Sequence, residues 1–369
     1  MGAMKGHATK EGTLRYRGKL GDRLSHEHFR KTQDLCISSI GFGSYLGNDD
    51  DTTDAGYQNA LKHAVGLGCN HIDTAINYRF QRSERAIGSA LETIFKEGHF
   101  NRDELIVATK GGYIPFDSKS PSDIRKYFDE NFLEPGIATL DDMVSGMHCM
   151  TPKYIANQLE RSLENLGLES IDIYYLHNPE EQLRELSREE FNKRIGSVFE
   201  LLEKKVSDGN ITMYGTATWN GYRQEVKHDM SLSLPELVHL AEKIAGEGHH
   251  FKVIQVPFNL AMPEPLILRN QSLGGEVLTV LESARRLGVT VIASSSLLQR
   301  RLTQNLPDFI GRYLRDLDTD AQRAIQFVRS TPGITSALVG MSKKNHVEEN
   351  MEVAKLRPAS TDDINKLFS

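Results

Sequence analysis

Four polar side chains stand where apolar runs give way to loops, and together they could deliver one proton. The stretch 70–85, NHIDTAINYRFQRSER, opens on an apolar run ending in Asp73 and then enters a loop carrying Tyr78. A strand-end carboxylate and a nearby phenol on one rim are held by rigid structure yet reach solvent. Lys110 closes the run IVATK, and His177 closes IDIYYLH. Lysine is almost never fully buried without a partner, and Asp73 is the natural one. A phenol ordinarily ionises near a pKa of about 10. A neighbouring ammonium favours the phenolate and lowers that value. His177 would donate a hydrogen bond to a carbonyl oxygen, polarising and orienting it. The set therefore suits protonation of an oxygen that is gaining negative charge. Side chains cannot supply a hydride, so a bound cofactor must. Taken singly, Tyr78 also reads as loop packing and His177 as a satisfied rim histidine.

Bringing four such residues together takes a scaffold whose strands end side by side. Residues 34–42 (DLCISSIGF) read as a strand, followed by apolar strand patterns at 69–74, 104–110, 171–176, 211–216, 253–257, 289–294 and 336–339. Helical spacing falls between them, at 53–65, 83–95, 152–165, 189–208, 235–246, 276–287, 319–330 and 344–354. Such βαβα alternation with short links predicts a parallel sheet with crossover helices. Eight units favour closure into a (β/α)8 TIM barrel. Residues 12–20 alternate weakly and predict an N-terminal hairpin arm. The block 111–150, rich in Asp, Ser, Pro and Gly with one helix near 122–132, follows the third strand. Loops of that length are usually functional. We expect one domain over 1–369, with the barrel at about 35–354 and 111–150 as an inserted, lid-like loop. Barrel enzymes work at the C-terminal strand ends. Here those ends are Gly43 and Ser44, Asp73, Lys110, His177, Thr216 to Trp219, Gln255, Ser294 to Ser296, and Gly340.

Composition narrows the partners. The 369 residues are 39% hydrophobic and 25% charged, enough to bury a large core. A net charge of −6 and a pI near 6.1 argue against a nucleic-acid or acidic-membrane surface. Cys36, Cys69 and Cys149 form neither a disulfide framework nor a CxxC metal pattern. Nothing approaches the roughly 18 consecutive apolar residues of a membrane span. The opening MGAMKGHATKEG lacks a signal-peptide core, so a cytoplasmic location is expected. Oligomeric state is left open.

Across about 35–354 the chain carries the motifs GFGSYLG, IDTAINY, IVATKGG, QLERSLENLGL followed by IDIYYLHNP, YGTATW, VIQVPFN and LVGMSKKNHVEENMEVA. On these it resembles the aldo-keto reductases. The resemblance implies a (β/α)8 barrel that binds NADPH, sometimes NADH, in an extended pose without a Rossmann domain. It implies a catalytic tetrad at Asp73, Tyr78, Lys110 and His177, with hydride passing from the nicotinamide to the carbonyl carbon and Tyr78 giving the proton. It also implies cofactor contacts. Gly43, Ser44 and Tyr45 match the loop against the nicotinamide riboside, and Gln255 the glutamine on the carboxamide. Ala217-Thr218 stands where many members have Ser-Asn, leaving Thr218 for that carboxamide. Ser294, Ser295, Ser296 and Leu297 replace a stacking tyrosine followed by Ser-Pro-Leu, and Trp219 is a candidate substitute. Glu349 and Asn350 match the pair at the adenine. Gly340 and His346 occupy positions where Lys and Arg often clamp the 2′-phosphate, which leaves Ser342, Lys343 and Lys344 for that contact.

Three other readings use the same residues. A cofactor-binding regulatory protein on the same fold, as in the β-subunits of voltage-gated potassium channels, would keep the tetrad. An NAD-dependent sugar dehydrogenase would run the reaction as oxidation. The HxD pair of His71 and Asp73 resembles metal-dependent barrel hydrolases, whose sites need several converging ligands. The other histidines fall mostly in loops and helices, so His71 reads as a packed core histidine and no metal is expected. His148, Cys149 and Met150 either line the substrate pocket or anchor the insertion. Arg300 and Arg301 are candidates for a pyrophosphate. The expected partner is a small-molecule carbonyl substrate, covered by 111–150 and by 301–318.

Overall fold

The computed structural model describes residues 2–368. The chain opens on helix α1 (Lys10–Leu20) and an antiparallel hairpin, β1 (Phe29–Thr32) with β2 (Leu35–Ser38). The repeating units then begin with β3 (Ile40–Gly43), α2 (Asp51–Gly66), β4 (His71–Asp73), α3 (Arg82–Lys96) and β5 (Ile106–Gly111). An excursion follows, holding the short helix α4 (Ile124–Phe128) and a small hairpin, β6 (Met143–Val144) with β7 (His148–Cys149). The alternation resumes with α5 (Pro152–Leu166), β8 (Ile171–His177), α6 (Arg188–Ser207), β9 (Ile211–Ala217), α7 (Leu234–Ala245) and β10 (Phe251–Pro257). A second insertion carries α8 (Glu264–Ile267) and the hairpin of β11 (Arg269–Leu273) and β12 (Glu276–Thr279). The chain ends with α9 (Val280–Arg286), β13 (Thr290–Ser294), α10 (Ile310–Tyr313), α11 (Asp320–Ser330), β14 (Ser336–Gly340), α12 (Lys344–Glu352) and α13 (Thr361–Lys366).

Strands β3, β4, β5, β8, β9, β10, β13 and β14 pair in that order and close on themselves, so the expected (β/α)8 barrel is observed. Alternate residues on each strand point inward. Ile106 and Ala108, Ile173 and Tyr175, Met213, Val253, Ile292 and Leu338 accordingly fill the interior as one apolar cluster. Ala8 and Ile37 from the N-terminal segment join it, plugging the end opposite the C-terminal strand ends. Asp172, fully buried, anchors that plug: it accepts hydrogen bonds from the Ala8 and Val107 amides (2.6 and 2.7 Å) and from Arg102 (2.8 Å). A buried charge needs such partners. The outer helices turn their apolar stripe to the barrel. On α3 this is Ala86, Ile87, Ala90, Leu91 and Ile94, at helical spacing.

Three local expectations are corrected. Residues 12–20 belong to α1, not to a hairpin arm. Thr9 caps that helix by accepting from the Gly12 amide, and Tyr16 donates to the Val65 carbonyl at 2.6 Å. The hairpin lies at 29–38 instead. The run 34–42 is not one strand: it breaks at Ser39, whose hydroxyl takes a hydrogen bond from Arg329 Nε (2.9 Å) and meets His28 Nδ1 (3.0 Å). Leu35–Ser38 therefore pairs with β1 and Ile40–Gly43 joins the barrel. The helix expected over 276–287 begins at Val280, because Thr279 and Glu282 form a reciprocal cap and the preceding residues are strand β12.

Candidate active site

Strands β4, β5 and β8 are neighbours, and their C-terminal ends bring the tetrad together. Lys110 is fully buried at the end of β5. Its ammonium donates to Asp73 Oδ1 (2.5 Å), to the Thr74 carbonyl (2.8 Å) and to the Tyr78 hydroxyl (3.3 Å). The ammonium also lies 4.8 Å from the centre of the Tyr78 ring. Gln255, from β10 across the barrel, donates to Asp73 Oδ2 at 2.8 Å. Both carboxylate oxygens are thus held. The Tyr78 ring meets His177 edge-on at 5.9 Å between centroids.

Tyr78 reaches this position through an unusual turn. Arg79, Phe80 and Gln81 all have positive φ (48°, 56° and 69°). Left-handed backbone disfavours non-glycine residues by roughly 1–2 kcal/mol each. The turn persists because Arg79 is clamped to the Asn48 carbonyl (2.8 Å) and to Asp54 (2.5 Å), and Gln81 to the Phe116 carbonyl (3.1 Å).

The electrostatics correct one expectation. Burial pushes the Tyr78 phenol up, and this outweighs the lowering by Lys110. The lowering is present, but the net direction is upward, so Tyr78 carries its proton at neutral pH. Burial opposes the Lys110 charge, yet Asp73 and Tyr78 overcome it and keep the ammonium. Burial, Lys110 and His148 push His177 well below the usual histidine value, so its ring is neutral. The site therefore offers a neutral acid, a fixed cation behind it and a neutral imidazole beside it.

Tyr78 and His177 face a cavity of about 650 Å3. Its lining contains the cofactor residues expected from the sequence: Gly43, Ser44, Tyr45 and Asp73 from the first two strand ends, and Thr218 and Gln255 from the fifth and sixth. Ser294, Ser295 and Leu297 line it after β13, and Gly340, Ser342, His346, Glu349 and Asn350 at β14 and α12. Lys110 does not; it sits behind Asp73 and Tyr78. Lys343 and Lys344 are exposed and outside the lining, and Arg300 lines it without Arg301. Trp219 borders the cavity with 37% of its surface exposed.

Four buried polar atoms of residues on this wall have no protein partner: Thr218 Oγ1, Ser296 Oγ, Asn77 Oδ1 and His177 Nδ1. Buried polar atoms are ordinarily hydrogen-bonded, so these suit a polar ligand. Gln255 gives its amide hydrogen to Asp73 and keeps a carbonyl oxygen for a ligand N–H. Glu180, fully buried, supports the adjoining wall: its Oε1 accepts from the amides of Trp219, Asn220 and Gly221 at 2.8, 2.8 and 3.1 Å.

The excursion expected to cover the substrate contributes only Tyr113 to the lining. Its aromatic residues turn to α5 instead, with Phe132 against Tyr154 at 5.4 Å. The 301–318 segment contributes Thr303. His148 is 2% exposed and bonded to the His177 carbonyl, an anchor and not a lining residue. His71 is a core histidine, with Nδ1 at 3.1 Å from Ser336 Oγ. Among the described residues, no group of three or more His, Cys, Asp or Glu is arranged to hold a metal ion, and no helix is long and apolar enough to cross a membrane. Tyr113, Asn178, Asn77 and Tyr57 line the cavity but were not singled out in the sequence. The first three lie one to four residues beyond strand ends, and so outside the ends themselves. Tyr57 lies on α2, and only the fold brings it there.

The model of the aldo/keto reductase family matches residues 39–369. A putative voltage-gated potassium channel subunit beta of Schizosaccharomyces pombe is 22% identical, covering 90% of this chain and 89% of its own. A D-threo-aldose 1-dehydrogenase of a Pseudomonas species is 31% identical over 49% of this chain and 50% of its own length. The structure of an aldo/keto reductase from Klebsiella pneumoniae in complex with NADP and acetate has the same fold, with a TM-score of 0.60 and 19% identity over 93% of this chain and 94% of that one.

Proposed function

Because this chain belongs to the aldo/keto reductase family, we propose that it reduces an aldehyde or ketone to the alcohol with NADPH, or runs the reverse oxidation. One observation carries the reading: a single buried ammonium is shared by Asp73, Thr74 and Tyr78, and the phenol it touches faces a dinucleotide-sized cavity beside a neutral histidine. A bound dinucleotide supplies the hydride to the carbonyl carbon. His177 orients the carbonyl oxygen by hydrogen bonding. Tyr78 gives that oxygen its proton, and Lys110 stabilises the phenolate left behind. Asp73 keeps Lys110 charged and in place.

The nicotinamide end of the cofactor fits Thr218, Gln255 and Asp73, where unpartnered polar atoms and a free carbonyl oxygen gather. Glu349 and Asn350 would hold the adenine end, and Ser342 and His346 would meet the adjoining ribose or its 2′-phosphate. Support for NADPH comes from the Klebsiella pneumoniae neighbour, which is a complex with NADP. Gly340 and His346 offer little to a 2′-phosphate, so NADH is the competing cofactor. The one lysine or arginine among the lining residues is Arg300. The test is loss of NADPH absorbance with a carbonyl panel, abolished by Tyr78→Phe while cofactor binding persists. An unchanged rate in that variant removes Tyr78 from the acid's role.

Two named relatives favour second readings. The Schizosaccharomyces pombe protein aligns over most of its length, which supports a cofactor-holding subunit with little turnover. The Pseudomonas enzyme supports oxidation of an aldose at C1. Tight cofactor binding without turnover of any carbonyl or sugar selects the first. Faster NAD reduction by aldoses than NADPH oxidation by carbonyls selects the second.

A further inference from the structure

The peptide that carries His177 is held from outside the barrel by a chain of three side chains. Arg194 on α6 donates to Gln182 Oε1 at 2.6 Å. Gln182 Nε2 lies 2.8 Å from His148 Nδ1, and His148 Nε2 lies 2.7 Å from the His177 carbonyl oxygen. Chemistry fixes every direction. A guanidinium only donates, so Gln182 must present its oxygen to Arg194 and its amide hydrogens to His148. His148 Nδ1 must then be the bare, accepting nitrogen and Nε2 the protonated one, because a carbonyl oxygen only accepts. A single neutral tautomer satisfies both bonds. Gln182 is fully buried and His148 is 2% exposed. Bonds in such a low-dielectric series reinforce one another.

The same two residues are braced by rings and backbone. Tyr113 stands edge-on to both His148 (5.0 Å, 84°) and His177 (5.1 Å, 88°). Its hydroxyl accepts from Asn178, whose left-handed backbone (φ 47°) follows His177 directly. Residues 112–114 pair with 147–149: the Cys149 amide donates to the Gly112 carbonyl (2.8 Å) and the Ile114 amide to the Met147 carbonyl (2.9 Å). Gly112 has φ +147°, and a Cβ there would lie 2.8 Å from His148 Nε2 and 2.9 Å from the His177 carbonyl. Only glycine lets the two strands approach closely enough for the imidazole to reach that oxygen.

We infer that His148 is a positioning residue for the reaction: by donating Nε2–H to the His177 carbonyl, it holds the His177 ring over the substrate oxygen. The inference rests on the proposed role of His177 in orienting a carbonyl. A group displaced by about an ångström loses up to roughly 10²-fold in rate. His148→Ala removes the donor. It should lower kcat by about tenfold or more while leaving the cofactor Kd within about twofold. His148→Gln can place an amide N–H at the same carbonyl and should recover most of kcat. Loss of cofactor binding in step with kcat, or a glutamine variant no better than alanine, overturns the assignment. Should His148→Ala not fold, Arg194→Met removes the first donor from a half-buried position and should give a smaller loss in kcat at unchanged cofactor Kd; an unaltered kcat overturns it. A wild type that turns over no carbonyl defeats the proposed function instead. The positioning claim is then read from the nitrogen resonances of His177, which should shift in His148→Ala and return in His148→Gln; unmoved resonances overturn it.

Discussion

Lys110 meets Tyr78 twice, with its ammonium 3.3 Å from the phenol oxygen and 4.8 Å from the ring centre. The same ammonium is the ion-pair partner of a buried carboxylate, Asp73. Lys110→Met therefore removes the charge proposed to stabilise the phenolate and strands Asp73. Breaking a buried pair from one side costs about 3–5 kcal/mol. Turnover should be lost, and the melting temperature should fall sharply. Asp73→Asn in the same background should restore much of the stability and none of the turnover.

The two reaction directions should respond oppositely to pH. Reduction needs Tyr78 protonated, and burial holds its pKa above the ordinary phenol value despite Lys110. The rate of reduction should stay level through neutrality and fall only in strong alkali. Oxidation needs the phenolate as base, so its rate should climb with pH over the same range. The check is kcat/KM against pH in both directions. A reduction profile that breaks near neutrality would falsify Tyr78 as the acid.

Three histidines should make the fold sensitive to acid. Burial holds His28 and His71 down at about 3, and His148 at about 4. In the unfolded chain each ionises at about 6.5. Above that value both states are neutral and the stability is intact. As pH falls below it, the unfolded chain binds protons that the native state refuses, so stability is lost progressively toward about pH 3 to 4. Unfolding at about pH 5 should take up roughly three protons from this source. Calorimetry in buffers of different ionisation heat measures that uptake; His71→Asn should lower it by about one.

The barrel was legible because its parallel strands are covered on both faces and so read as apolar runs, such as IVATK and IDIYYLH. Asp73, Lys110 and His177 stood out because each closes an apolar run with a polar residue, and Tyr78 because it follows Asp73 by five residues in the adjoining loop. What escaped depends on distant partners. The break at Ser39 is fixed by Arg329, from the far end of the chain. Helix α1 has a polar sequence, and it is fastened through Tyr16 to Val65. The sign of the Tyr78 shift turns on how deeply folding buries the phenol, which no spacing reveals. The length of the excursion and its place after a strand end suggest a lid, whereas Phe132 and its neighbours bind it to α5.

Glu180 should matter to the cofactor without touching the reaction. Its Oε1 gathers the amides of residues 219–221, and so sets the wall that holds Thr218 and Trp219. Glu180→Ala leaves three N–H groups without an acceptor and should destabilise the protein by about 3 kcal/mol. The cofactor Kd should rise as well. Glu180→Gln keeps one acceptor oxygen and should be milder on both counts. Thermal melts and fluorescence titration with NADPH decide it.

The paired necks at 112–114 and 147–149 have a consequence for diversification. The excursion leaves and rejoins the rim at adjacent points, so residues 119–141 form an outer loop beyond a fixed base that includes Phe116, the partner of Gln81. The anchor His148 belongs to the base and not to the outer loop. Exchanging or trimming the outer part alters what the protein presents to its surroundings, while the support under His177 is inherited intact.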